Sequence, residues 1–204
     1  MTKSVEFFFD VISPAAYIAW HVLPKITKAA DADLTYRPFF LGGVMQATGN
    51  RPPGTVENKA KWMGTDLPRW AKMYGLEYRR NDVFPQMTVS HMRGAVALLG
   101  DEKFHPYVSA LYKALHVDNR DIQQQEVVAE ILNPLGLATP DFMAKLSDQA
   151  IKDQLKANTE EAVERGAFGA PTMFVGDNMH FGQDRLFMVA EDLGISIHEA
   201  LKDG

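Results

Sequence analysis

Ser13 stands immediately before Pro14, where the apolar run 5–11, VEFFFDV, gives way to a helical pattern. A run this short and this rich in aromatic and β-branched residues is expected as a buried strand. Tyr17, Ile18, Val22, Leu23 and Ile26 then recur at the spacing of one helix face. Ser13 fits the N-cap of that helix and Pro14 its first residue. The hydroxyl therefore shares a small volume with the open amides of the first turn, at the positive pole of the helix, and such a volume favours an anion. Read alone, Ser-Pro at this place is also an ordinary helix start.

A second group of residues lies in GAFGAPTMFVGDNMHFGQDRL, 166–186, where Pro171 opens a strand. Most X-Pro bonds are trans, with about 5% cis. A cis bond at Pro171 would turn the N–H and C=O of Ala170 outward, ready to pair with an extended peptide. Asp184, one residue into a helix expected from Gln183, suits a first turn by its charge, and it could equally hold an ammonium group while nearby amides hold a carboxylate. Those are the two charges of an amino-acid head group. A third segment, GNRPPG at 49–54, leads to Lys59, Lys61, Trp62 and Met63. By itself it reads as a Pro/Gly loop before a helix with two solvated lysines.

The chain has no cysteine, so any sulfur chemistry must arrive with a ligand. His21, His91, His105, His116, His180 and His198 are scattered without ligand spacing, so no metal is expected and each reads as a satisfied or solvated histidine. With 204 residues, 46% of them apolar, the chain can bury a substantial core. A formal net charge of -5 and no basic block argue against nucleic acid or a membrane surface as partner. No run approaches the roughly 20 apolar residues of a spanning helix. The start of the chain, with Glu6 and Asp10 in its apolar run, resembles no signal peptide, and a cytoplasmic protein is expected.

The elements that must position these residues follow from pattern. Strand 5–11, the helix after Ser13 and a strand over 32–40 make a βαβ unit. From 42 to about 166 helical patterns dominate, including a cap at Thr139-Pro140-Asp141 and a helix with Ile151, Leu155, Ala162 and Val163 inward, stopped by Gly166. Strands 171–175 and 179–181 follow, joined by a Gly176-Asp177-Asn178 turn. A last helix has Leu186, Val189, Ala190 and Leu193 inward and Gly194 at its end. This order predicts an α/β chain with a thioredoxin-like fold, residues 1–43 and 164–204, interrupted between its βαβ and ββα halves by a large all-helical insertion, 44–163.

Taken together, FFFDVISP at 7–14, GNRPPG with the Lys59 and DLPRWA that follow, and GAFGAPTMFVGDNMHFGQDRL resemble the kappa-class glutathione transferases and the related 2-hydroxychromene-2-carboxylate isomerases. The resemblance spans nearly the whole chain. It implies glutathione as cofactor and Ser13 as the active serine, whose hydroxyl donates to the glutathione thiolate with help from the first-turn amides. It further implies that Ala170, before a cis Pro171, bonds the cysteinyl backbone and that Gln183 and Asp184 hold the γ-glutamyl head. Asn50 and Lys59 match insertion residues that reach toward the ligand, Lys59 toward the glycyl carboxylate. Where the family usually has an aromatic residue and then a serine, this chain has Ala15 and Ala16, which opens a pocket wall.

The activity so implied is isomerisation of an aromatic 2-hydroxychromene-2-carboxylate-like substrate: thiolate addition to a conjugated double bond, rotation and elimination, with glutathione returned. Phe40, Trp62, Met63 and Phe84 are candidate walls for that substrate, and each reads equally as core. A kappa-class transferase, which consumes glutathione, shares the first step, and a non-catalytic glutathione- or peptide-binding protein shares only the cradle. A thiol-disulfide oxidoreductase is excluded by the missing cysteine. The resemblance also implies a homodimer.

Overall fold

The computed structural model describes residues 3–202, so positions 1, 2, 203 and 204 at the outer ends of the expected first domain lie outside the described residues. Strand β1, Ser4–Phe9, is the hub of a four-stranded sheet in the order β2-β1-β3-β4. Helix α1, Pro14–Ala29, crosses over to β2, Asp33–Pro38, which runs parallel to β1 from Ser4 opposite Asp33 to Phe9 opposite Pro38. Seven α-helices follow: α2 Leu41–Thr48, α3 Glu57–Met73, α4 Val89–Ala97, α5 Phe104–His116, α6 Gln125–Leu132, α7 Thr139–Lys145 and α8 Gln149–Glu164. The chain then returns through β3, Thr172–Val175, antiparallel to β1, and β4, Asn178–Phe181. It ends in α9, Leu186–Asp192, and α10, Ile197–Ala200. No described helix is long and apolar enough to cross a membrane.

β1 lies between β2 and β3, and helices cover both faces of the sheet there, so Phe7, Phe8 and Phe9 are all fully buried. Val5, Phe7 and Phe9 face α1 and join the main core, whereas Phe8 points the other way, to Phe39, Val44, Ala162, Ala167 and Phe174 beneath α2 and α8. Arg165 lies 3.7 Å from the centroid of the Phe174 ring and pairs with Glu6 at 2.8 Å, closing the edge of this second cluster. Helix α1 is apolar on nearly every side because it is packed between the sheet and the inserted helices. The main core runs from β1 through Trp20 and Leu23 into Leu67, Leu111, Tyr112 and Phe142, so apolar packing is continuous across the expected division at residues 43/44 and 163/164.

Several local expectations shift. Strand β1 ends at Phe9, not at residue 11, since Asp10 turns its carboxylate back onto the chain and starts the turn that leads to Ser13. Thr139 is already helical and Ala138 is the N-cap, with no side-chain cap bond. Asn178 pairs with Val175 inside β4, which leaves a two-residue Gly176-Asp177 turn with Gly176 at φ 58°. A 3-10 turn, Gln183–Arg185, precedes α9, so Asp184 is not in the first turn of an α-helix as its spacing suggested.

Tyr112 is fully buried and its hydroxyl has no hydrogen-bond partner among the described residues. A buried unpaired hydroxyl costs about 1–3 kcal/mol in lost hydration. Tyr112→Phe is therefore expected to be neutral or to stabilise the fold by about 1 kcal/mol, read as a raised urea midpoint at unchanged slope. A loss of about 1 kcal/mol would mean that the hydroxyl has a partner after all.

Candidate active site

The turn between β1 and α1 is fixed from several sides. Asp10 accepts the Ile12 N–H on Oδ1 at 3.1 Å and the Leu41 N–H on Oδ2 at 2.9 Å, while its backbone carbonyl accepts the Ser13 N–H at 3.1 Å. Val11 donates its N–H to Met92 Sδ at 3.4 Å, and the Val11 carbonyl accepts from His116 Nε2 at 2.8 Å. A carbonyl only accepts, so His116 carries its proton on Nε2. Burial holds its pKa down at about 4, which keeps the ring neutral.

Ser13 caps α1 as expected, with Pro14 at the first helical position. It is 6% exposed, accepts the Ala16 N–H at 3.1 Å and donates its hydroxyl to the Ala170 carbonyl at 3.0 Å. The expected cluster of open first-turn amides is smaller than the pattern implied. Pro14 has no N–H, that of Ala16 is held by Ser13 and that of Tyr17 by the Ser13 carbonyl, so Ala15 alone keeps an amide without a partner among the described residues. Ala15 is half-buried.

The Ala170-Pro171 bond is cis. Ala170 has its carbonyl occupied by Ser13, and its N–H has no partner among the described residues. Just beyond β4, Gly182 returns its N–H to the Pro171 carbonyl at 3.0 Å. Gly182 adopts φ 98°, and a Cβ there would lie 2.5 Å from Asp184 Oδ1, so glycine is required for this approach. Gln183 is only 9% exposed yet its side-chain amide has no partner among the described residues. Asp184 receives Arg185 Nη1 at 2.7 Å. The 3-10 turn bearing both packs against α1. Tyr74, at the end of α3, has its phenol pushed above the ordinary value by burial and then by the Asp184 charge, so the inserted helices face the same corner.

Asn50 connects the third segment: its Nδ2 donates to the Phe168 carbonyl at 2.7 Å and its Oδ1 accepts the Arg51 N–H at 2.8 Å. Lys59 is exposed in the first turn of α3 and makes no ion pair among the described residues. The three segments read from the sequence thus converge, through Ser13 on Ala170 and Asn50 on Phe168. The four candidate walls are scattered by comparison. Phe40 packs over Gly42 and Gly43 and lines a groove of about 580 Å³ between α2, α4 and α8, away from the Ser13 contacts. Trp62 is 59% exposed, Phe84 is 43% exposed, and Met63 is half-buried against the main core.

Asp10, Ala15 and Tyr74 take part in this site without having been singled out. Asp10 left a signal, a carboxylate at the end of an apolar aromatic run. Tyr74 left none, because its approach to Asp184 joins positions 110 residues apart in the chain. His116 is a fixed part of the turn, while His91 bonds the Ile122 carbonyl at 3.0 Å and His180 bonds Asp192 at 2.8 Å. Among the described residues no group of three or more His, Asp or Glu side chains is placed to hold a metal ion.

Residues 4–194 match the family of DSBA-like thioredoxin domains. A 2-hydroxychromene-2-carboxylate isomerase of Pseudomonas putida is 31% identical over 93% of this chain and 94% of its own. Glutathione S-transferase kappa 1 of Caenorhabditis elegans is 30% identical, covering 92% of this chain and 89% of its own. Among solved structures, a 2-hydroxychromene-2-carboxylate isomerase superposes with a TM-score of 0.84 at 28% identity, over 94% of both chains.

Proposed function

Since the chain belongs to the DSBA-like thioredoxin family, together with 2-hydroxychromene-2-carboxylate isomerases and kappa glutathione transferases, we propose that it is a glutathione-dependent isomerase of an aromatic, 2-hydroxychromene-2-carboxylate-like substrate. The observation that carries this reading is the hydrogen bond from the Ser13 hydroxyl to the carbonyl of Ala170, the residue before cis-Pro171, whose own N–H has no partner among the described residues. The residues present fit glutathione. Ala170 has an N–H for the cysteinyl carbonyl, Gln183, itself only 9% exposed, a side-chain amide without a partner among the described residues, and Asp184 a carboxylate for the ammonium of the γ-glutamyl head. Lys59 would serve the glycyl carboxylate, and Asn50 holds the loop before Ala170 in place.

Bound there, glutathione supplies a thiolate that adds reversibly to a conjugated double bond and so permits rotation about it. Ser13 would turn its O–H from the Ala170 carbonyl to the sulfur, while still accepting the Ala16 amide, which polarises the hydroxyl and strengthens it as a donor. The Ala15 amide adds a second donor at the same pole. Ala15, half-buried in the first turn of α1, leaves room for a flat ring beside the sulfur, whereas Ala16 is fully buried in the main core and opens no wall, contrary to the expectation. Phe40, Trp62, Met63 and Phe84 remain proposed walls, which movement of the inserted helices on ligand binding would have to bring closer.

A kappa-class transferase is the second reading, favoured by GNRPPG and by a kappa relative whose identity is nearly that of the isomerases. Incubation with glutathione and 2-hydroxychromene-2-carboxylate, followed by ultraviolet absorbance and a thiol assay, separates the two. Product with glutathione conserved is expected; conjugation of aryl halides without isomerisation would replace the first reading by the second, and inertness toward both would leave a binding protein. Asp184→Asn is expected to raise the KM for glutathione about tenfold with kcat little changed, because the head group binds far from the reacting sulfur. An unchanged KM would remove Asp184 from the cradle. The homodimer is proposed on the family resemblance and is testable by sedimentation.

A further inference from the structure

Asp10 is the only fully buried carboxyl among the described residues. It bonds the Ile12 amide, in the turn that carries Ser13, and the Leu41 amide, the first of α2, and the Thr88 side chain also favours its ionised form. Helix α2 runs on to Gly49 and so to Asn50, whose side chain holds the loop before Ala170. One carboxylate therefore fastens the serine side of the site to the helix that supports the opposite side.

We propose that Asp10 is a positioning residue whose ionised carboxylate locks the Ser13 turn to the start of α2, and whose protonation weakens one of those two amide bonds and loosens the glutathione cradle. This rests on the reading of Ser13 as the working hydroxyl. A carboxylate accepts on both oxygens, whereas a carboxylic acid turns one of them into a donor that opposes the N–H it faces. Both amides lie at helix starts, where an anion is favoured and an O–H is not. Burial pushes the carboxyl up to about 6, against the Leu41 and Ile12 hydrogen bonds and the Thr88 side chain, which pull it down. The exchange of forms thus falls just below neutral pH.

The titratable and charged groups on the elements packed around the turn are Tyr17 of α1, Tyr36 of β2, His91 and the permanently charged Arg93 of α4, and Tyr112 and His116 of α5. Burial holds both histidines at about 4 and raises all three phenols above their ordinary value, so none of them changes charge near the Asp10 midpoint. Asp10 can therefore be titrated separately.

The test begins with ligand-free protein, following the amide resonances of Ile12 and Leu41 by NMR. Both are expected to move with one shared midpoint near 6, and to stand still in Asp10→Asn. Thr88→Val, which removes a hydroxyl that favours the ionised form, is expected to raise that midpoint and keeps the test alive if Asp10→Asn does not fold. Separate midpoints, or no movement above about pH 5, overturn the proposal. The link to the site is read with S-methylglutathione, which has no thiol to ionise. Its affinity is expected to fall about tenfold through the same transition in the native protein and to be flat in Asp10→Asn. A flat profile in the native protein, with the amides titrating, overturns the coupling. Failure of the Ser13 reading is distinguishable, because it appears as a bound-thiol pKa unmoved by Ser13→Ala while the Ile12 and Leu41 amides titrate as before.

Discussion

Ser13→Ala is expected to lower kcat by about 100- to 1,000-fold, the usual cost of removing one preorganised donor to a catalytic anion. The pKa of the bound thiol, followed by ultraviolet difference absorbance, should move up toward about 8.5, the value of a free thiol. Two further effects accompany the change. The Ala16 amide loses its cap, which costs about 1 kcal/mol of stability, and the Ala170 carbonyl loses a donor. The cap loss is uniform and appears in the melting temperature, whereas the loss of a donor to sulfur appears in the thiol titration. A variant that melts lower but keeps both its turnover and its thiol pKa would reduce Ser13 to a helix cap, the reading its sequence context alone allowed.

Acid is expected to weaken the fold between about pH 6.5 and 4, through His91 and His116. Burial lowers each from 6.5 to about 4, so in that window the unfolded chain binds protons that the folded chain refuses. Stability is therefore complete above 6.5 and is lost as pH falls toward 4, by at most about 3 kcal/mol for each ring. Asp10 acts in the opposite sense. Its folded value of about 6 exceeds the ordinary 3.8, so acidification through the same window restores roughly 3 kcal/mol. A net loss of about 3 kcal/mol remains. Urea midpoints at pH 7 and 4.5 measure it, and His116→Gln, which keeps an N–H for the Val11 carbonyl, should remove about half of the histidine contribution. Equal midpoints at the two pH values would show that the rings ionise inside the fold at little cost.

These two effects meet at one turn. His116 holds the Val11 carbonyl and Asp10 holds the amides on either side, so the segment that presents Ser13 is built from groups whose charge states are set by burial. A turn fixed in this way costs stability, through the histidine in acid and through the buried carboxylate above about pH 6. In return it leaves the Ser13 hydroxyl with a defined direction, which is the requirement for acting on a charge that develops in place.

Much of the molecule could be read from the chain itself. Ser13-Pro14 after an apolar run specified a strand, a cap and a helix, because capping and proline geometry are local and need no partner. Pro171 behind Gly169 and Ala170, with the hairpin after it, marked the second half of the sheet for the same reason. The missing cysteine settled that any thiol must come from outside. What the chain could not express was which groups would meet. The Ser13 hydroxyl finds the Ala170 carbonyl 157 residues away, Asp10 finds Leu41, and Tyr74 comes under the charge of Asp184, relations that exist only after the sheet order and the inserted helices have brought distant strand ends together. Likewise Phe40, Trp62, Met63 and Phe84 have the residue types of a pocket wall, but orientation is decided by packing against neighbours, and packing set one over a groove and left two in solvent. Local sequence determined where the helix pole and its hydroxyl would be; the tertiary structure decided what surrounds them, since burial and long-range hydrogen bonds are properties of the assembled core.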